Sequence, residues 1–108
     1  MIGHHGAMET SVVHVPEQSR YEIRAADAPA GEPELGFAEY RPLTGSDDDV
    51  LEFHHTLVHP QHRGHGVAER LVAAALEDVR AGGRRVKPSC WFVDQFIVEH
   101  PEYAPLRA

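Results

Sequence analysis

Between residues 50 and 88 the spacing of apolar residues changes period twice, and few folds accommodate that order. VLEFHHTLV (50–58) is a strand-length run. After the glycine-containing stretch HPQHRGHG (59–66), Ala68, Leu71, Val72, Ala75, Leu76 and Val79 fall at i, i+3, i+4, i+7, i+8 and i+11. That is one face of an amphipathic helix. Gly82 and Gly83 stop it, since glycine tolerates the left-handed backbone found past a helix end. RRVKP (84–88) then reads as a short strand closed by proline. Strand, helix, strand within this span predicts a right-handed βαβ unit with parallel strands.

The flanking segments add strands before this unit and a helix after it. In SRYEIRA (19–25), Arg20, Glu22 and Arg24 alternate with Tyr21, Ile23 and Ala25, which predicts a half-buried strand with the charged residues outward. DAPAGEPE (27–34) reads as a loop. LGFAEYRPL (35–43) predicts a second strand with Leu35, Phe37, Ala38 and Tyr40 as core candidates, and TGSDDD (44–49) a solvated turn. VVHVP, around residue 13, is a candidate edge strand. After Ser89 a second helix is expected, with Phe92, Val93, Phe96 and Ile97 on one face and Pro101 ending it. The class is α/β (α+β). Residues 1–10 are expected to be disordered or derived from a cloning vector, and 11–108 to form one domain.

Composition excludes several functions. The chain of 108 residues carries a net charge of −7, which disfavours nucleic acid as the main partner. No apolar run approaches the roughly 20 residues of a membrane span, and the N-terminus lacks the features of a secretory signal. A single cysteine, Cys90, excludes an internal disulfide framework and suits a reducing, cytoplasmic setting. The charge is uneven, however: residues 61–87 total +3, leaving −10 elsewhere. A local basic segment suits a small anion, or it is simply a solvated helix face.

The stretch HPQHRGHG has three readings: an anion cradle, a metal site, or an ordinary polar turn. At a helix start the first N–H groups lack partners and the dipole adds about half a positive charge. Gly64 and Gly66 let the chain fold tightly around an anion, and Arg63 suits phosphate oxygens. The dinucleotide pattern GxGxxG fails at Glu69, and no Walker loop is present. His59, His62 and His65 recur every third residue, but they lack the cysteine or carboxylate companions usual for zinc, so no metal site is assigned.

The remaining pattern, Gln61-x-x-Gly64-x-Gly66, resembles the pyrophosphate loop of the GNAT N-acetyltransferase superfamily. Its minimal single-domain branch is similar in further places: His55-Thr56, Pro60 to Gly66, the run Val86-Lys87-Pro88-Ser89-Cys90-Trp91-Phe92-Val93, and His100 to Tyr103. The match is close over 54–106 and architectural over 12–53. The resemblance implies a mixed sheet of about five strands with a central βαβ unit, two main helices and splayed parallel strands. It implies acetyl-coenzyme A as cofactor and an amine acceptor, possibly on a protein. Gln61, His62, Arg63, Gly64, His65, Gly66 and Val67 are then expected at the diphosphate, and Leu57 and Val58 along the pantetheine arm. Leu57 stands where relatives often carry glutamate, and Trp91 where proline is common.

Three side chains are candidates for chemistry. Cys90 opens a helix and is either an acyl-carrying nucleophile, an acid for the departing thiol, or an inert buried thiol. His55 is a candidate base or a structural histidine at the strand end. His54 and His55 are expected on opposite strand faces. Tyr103 is a candidate acid or a packing aromatic. Arg84 and Arg85 solvate a strand end or meet the cofactor's 3′-phosphate. An acetyltransferase is the leading reading and a non-catalytic coenzyme A-binding module or sensor the alternative, as a monomer or weak dimer.

Overall fold

The computed structural model describes residues 9–43 and 49–108. The N-terminal segment 1–8 and most of the acidic turn, 44–48, lie outside the described residues. Five strands form one sheet in chain order. They are β1 (Thr10–Val15), β2 (Arg20–Ala25), β3 (Gly36–Pro42), β4 (Val50–Val58) and β5 (Arg85–Pro88). Helix α1 (Val67–Ala81) links β4 to β5, and α2 (Trp91–Glu99) follows β5. β1 to β4 pair antiparallel, and β4 pairs β5 in parallel. The expected mixed sheet, βαβ unit and two helices are present, and the weak edge-strand signal at VVHVP is a full six-residue strand.

Register assigns the faces. Paired residues share a side of the sheet, so Ile23, Ala38, Tyr40, Leu51 and Phe53 lie together on one face. They join Leu71, Val72, Ala75, Leu76 and Val79 of α1 and Val93, Phe96 and Ile97 of α2 in a single core. Each large apolar side chain buried there contributes about 1.5–3 kcal/mol. Val67, rather than Ala68, begins the buried stripe of α1. Ala68 is half-buried at the margin.

The opposite face carries Arg20, Glu22, Arg24, Phe37, Glu39, His55 and Leu57. Two expectations change here. Phe37 is not a core residue: it is half-buried, with the Arg20 guanidinium 4.5 Å from its ring centroid. Glu22 is not solvated, being only 5% exposed. Arg20 donates to its Oε2 and Arg24 to its Oε1, so both carboxylate oxygens are satisfied by guanidinium groups. Two arginines at i−2 and i+2 on one strand face can fold over the residue between them, and their methylene stems exclude the water.

Between Glu39 and Tyr40 the β3–β4 register slips, pairing Glu39 with His55 and Tyr40 with Phe53. His54 is the extra residue of a bulge. Strict alternation is therefore lost between Phe53, on the core face, and His55, on the opposite one. The parallel pairing of β4 with β5 ends at Phe53↔Pro88, while β4 continues to Val58.

Candidate functional site

Pro60 starts a short 3-10 turn in which His62 donates its N–H to His59 O (2.9 Å) and Arg63 to Pro60 O (3.3 Å). Two left-handed glycines follow, Gly64 at φ +83° and Gly66 at φ +73°. Gly66 caps α1 without any side-chain hydrogen bond, and the first main-chain bond of the helix is Arg70 N–H to Gly66 O. Among the described residues, the N–H groups from Gly64 to Glu69 meet no acceptor. Buried or not, such donors need a partner from solvent or a ligand.

These groups border a cavity of about 330 Å³, whose wall includes Val58, His62, Arg63, Gly64, Gly66, Val67, Ala68 and Glu69. Arg70 leans over the loop: its Nη1 is 3.5 Å from where a Cβ on Gly66 would stand. The turn thus combines free N–H donors, a helix N-terminus and two guanidinium groups, with one opposing carboxylate from Glu69. Of the residues expected here, His62 and Arg63 contribute side chains rather than free amides. Gln61 does not border this cavity. It lines a neighbouring one of about 410 Å³ together with Glu34, His59 and His62. His65 is exposed and does not border the cavity.

A second opening begins where the parallel strands part. His59 donates its N–H to Leu35 O, so the pair 35/59 is hydrogen-bonded and 36/58 is not. By antiparallel alternation, the main-chain groups of Thr56 and Val58 turn away from β3 toward the gap. Leu57, one residue out of phase, spends its main chain on Phe37 instead. A slot of about 250 Å³ runs along this edge, lined by Thr56, Leu57, Val58, Arg63, Ala68 and Phe92. Val58, Arg63 and Ala68 border both the slot and the cradle, so the two adjoin.

Cys90 does not line the slot but contacts Thr56, which does. Its N–H bonds Phe53 O (2.8 Å), and its thiol donates to Thr56 Oγ1 at 3.5 Å. The other two chemical candidates are elsewhere. His55 is exposed on the uncovered sheet face, with its ring edge-on to Phe37 at 5.8 Å. Tyr103 is buried, donates to Glu77 Oε2 (2.8 Å) and lies under Arg80. Glu77 is nine residues along α1 from Ala68, roughly 14 Å at the rise of a helix. Burial, then the Glu77 contact, pushes the phenol above its ordinary pKa. These contacts tie the C-terminal turn to α1. Sequence reading missed Thr56, Phe92 and Arg70. Thr56 and Cys90 are 34 residues apart and only the fold joins them, whereas a basic residue four positions beyond Gly66 was a legible signal.

Nearby pairs are structural. Burial alone would raise the Glu34 carboxyl, but its own backbone N–H, the His59 contact at 3.2 Å and Arg20 together hold it below the usual range. At the end of β5, Ser89 donates to Glu52 Oε2, which lowers that carboxyl.

The chain is thus an α/β protein whose one parallel strand pair ends beside a glycine-rich helix start. The sequence profile of the GCN5-related N-acetyl-transferase family matches residues 20–106, and the chain belongs to that family. It is 35% identical over 52 residues to Protein NATD1 of Bos taurus, covering 48% of this chain and 46% of that one. Protein NATD1 of Homo sapiens is 31% identical over 52 residues, with 48% and 46% covered. The match thus spans about half the length of these relatives. A GCN5-like protein from Staphylococcus aureus, solved in solution by NMR, superposes with a TM-score of 0.61 at 20% identity, over 94% of this chain and 89% of that one. That likeness is one of fold.

Proposed function

We propose that the chain binds acetyl-coenzyme A along the cradle and slot and transfers its acetyl group to an amine. One observation carries this reading: unpaired N–H donors in the cradle adjoin a stretch of β4 that no strand pairs on its far side. The cradle suits a diphosphate, with Arg63 and Arg70 adding charge-assisted contacts. Thr56 and Val58 offer main-chain donors and acceptors to the amides of an extended arm, as a neighbouring strand would. Bound there, the cofactor supplies an activated acyl thioester. In this reading Cys90, hydrogen-bonded to the slot residue Thr56, gives a proton to the departing thiolate. A lone free thiol supports a cytoplasmic setting within the same proposal.

One observation favours a second reading, a coenzyme A sensor without turnover: among the described residues, no carboxylate or imidazole lines the slot. Thermal unfolding and calorimetry separate these. Acetyl-coenzyme A at a hundred times its Kd should stabilise by about 2.7 kcal/mol, raising the Tm on the order of 10 °C. Ala68→Tyr, which fills both openings from the helix margin, should abolish that shift while leaving the apo Tm within a few degrees. No shift with the parent chain sinks both readings. Binding without thiol release from any amine leaves the sensor.

A further inference from the structure

The side chain of Arg63 does not project freely over the cradle. Its Nε donates to Val58 O at 3.0 Å, across the junction of the two openings. That carbonyl is one of the main-chain groups that β3 leaves free to face the slot, and Arg63 also forms part of the wall of both cavities. We propose that Arg63 is a latch that makes the slot selective for donors carrying a diphosphate; this rests on the acetyl-coenzyme A reading above.

The chemistry follows from competition for one guanidinium. A neutral carbonyl is a weaker acceptor than a diphosphate oxygen, to which the guanidinium bonds with full opposite charge. An anion in the cradle therefore draws Arg63 off Val58, and the released carbonyl is open to an amide N–H of the arm. Arg63 is exposed, so the swing disturbs no packing. A short thioester lacking the diphosphate must displace Arg63 with nothing to receive it. Diphosphate and arm consequently bind with positive coupling, and linkage requires the coupling to be reciprocal.

Calorimetry on the full chain tests this with S-acetylpantetheine and inorganic pyrophosphate as separate probes. Saturating pyrophosphate should tighten S-acetylpantetheine about fivefold, the worth of one charge-assisted hydrogen bond near the surface. In Arg63→Ala, S-acetylpantetheine alone should bind about fivefold tighter than to the parent, pyrophosphate should add nothing, and acetyl-coenzyme A should bind about tenfold weaker. The opposite signs distinguish a latch from a plain phosphate ligand, whose loss weakens or leaves every affinity. Probes that bind the parent independently or compete overturn the latch, as does S-acetylpantetheine affinity that is unchanged or undetectable in Arg63→Ala. If that variant does not fold, the coupling in the parent decides alone. Failure of acetyl-coenzyme A itself to bind removes the functional reading and the latch together; binding without coupling removes only the latch.

Discussion

Glu22 and Glu34 show how far single positions depart from a pattern that is right on average. Period two assigns Glu22 to solvent, and its side does face away from the helices, yet two flanking arginines cover it. Alternation reports the face; it cannot report what long neighbours do there. Glu34, in a loop legible from its prolines, is held ionised by contacts that include His59, 25 residues away. Because its folded pKa is lowered, the stabilisation is present above the unfolded value and lost as pH falls through the folded one. Glu34→Gln should therefore be less stable than the parent at pH 5–6, by up to about 1 kcal/mol for a partly solvated pair. The two proteins should converge only once the pH falls below the lowered folded value. Urea titrations across that range check it, and a gap that widens in acid would contradict it. Tyr103 and His55 belong to the same scale: both residue types suit acid–base chemistry, but burial against Glu77 and exposure on the bare face remove them from the slot.

At the scale of elements, the sequence was most readable where one residue type does one job. The stripe of α1 is defined by i+3 and i+4 spacing, and six of its positions are buried, with a shift of one residue at the start. Glycines separate by mechanism. Gly66 holds φ +73°, and an added Cβ would meet only Arg70 Nη1 at 3.5 Å, an ordinary contact. Gly36 has an unremarkable φ, but a Cβ there would stand 2.5 Å from Leu57 O of the adjoining strand. Gly66→Ala should accordingly cost about 1 kcal/mol, the strain of a left-handed residue. Gly36→Ala should cost at least about 2 kcal/mol, because β3 and β4 must part to admit it. Denaturant unfolding of both variants gives the comparison, and an equal cost would refute the distinction. The need for Gly66 was legible from its place before a helix; that for Gly36 required knowing its cross-strand partner.

Among the described residues both helices pack on one face of the sheet and none on the other, and the one tryptophan is buried on neither side. Trp91 is 73% exposed at the start of α2. Far-UV circular dichroism should follow a cooperative unfolding transition in urea, as expected for one small domain. The tryptophan emission maximum should shift by only a few nanometres, roughly, through the same transition, since the indole is already hydrated. A strongly blue-shifted native spectrum would show Trp91 to be covered. What the amino-acid order determined by itself was local: element types, their sequence, the helix face and the turn before it, because period, glycine and proline act within a few residues. The tertiary structure alone decided that Cys90 meets Thr56, that β4 outruns β5 to leave an open edge, and that Arg63 closes on Val58. Those depend on register and strand divergence, which arise from the packing of segments distant in the chain and leave no mark on either segment alone.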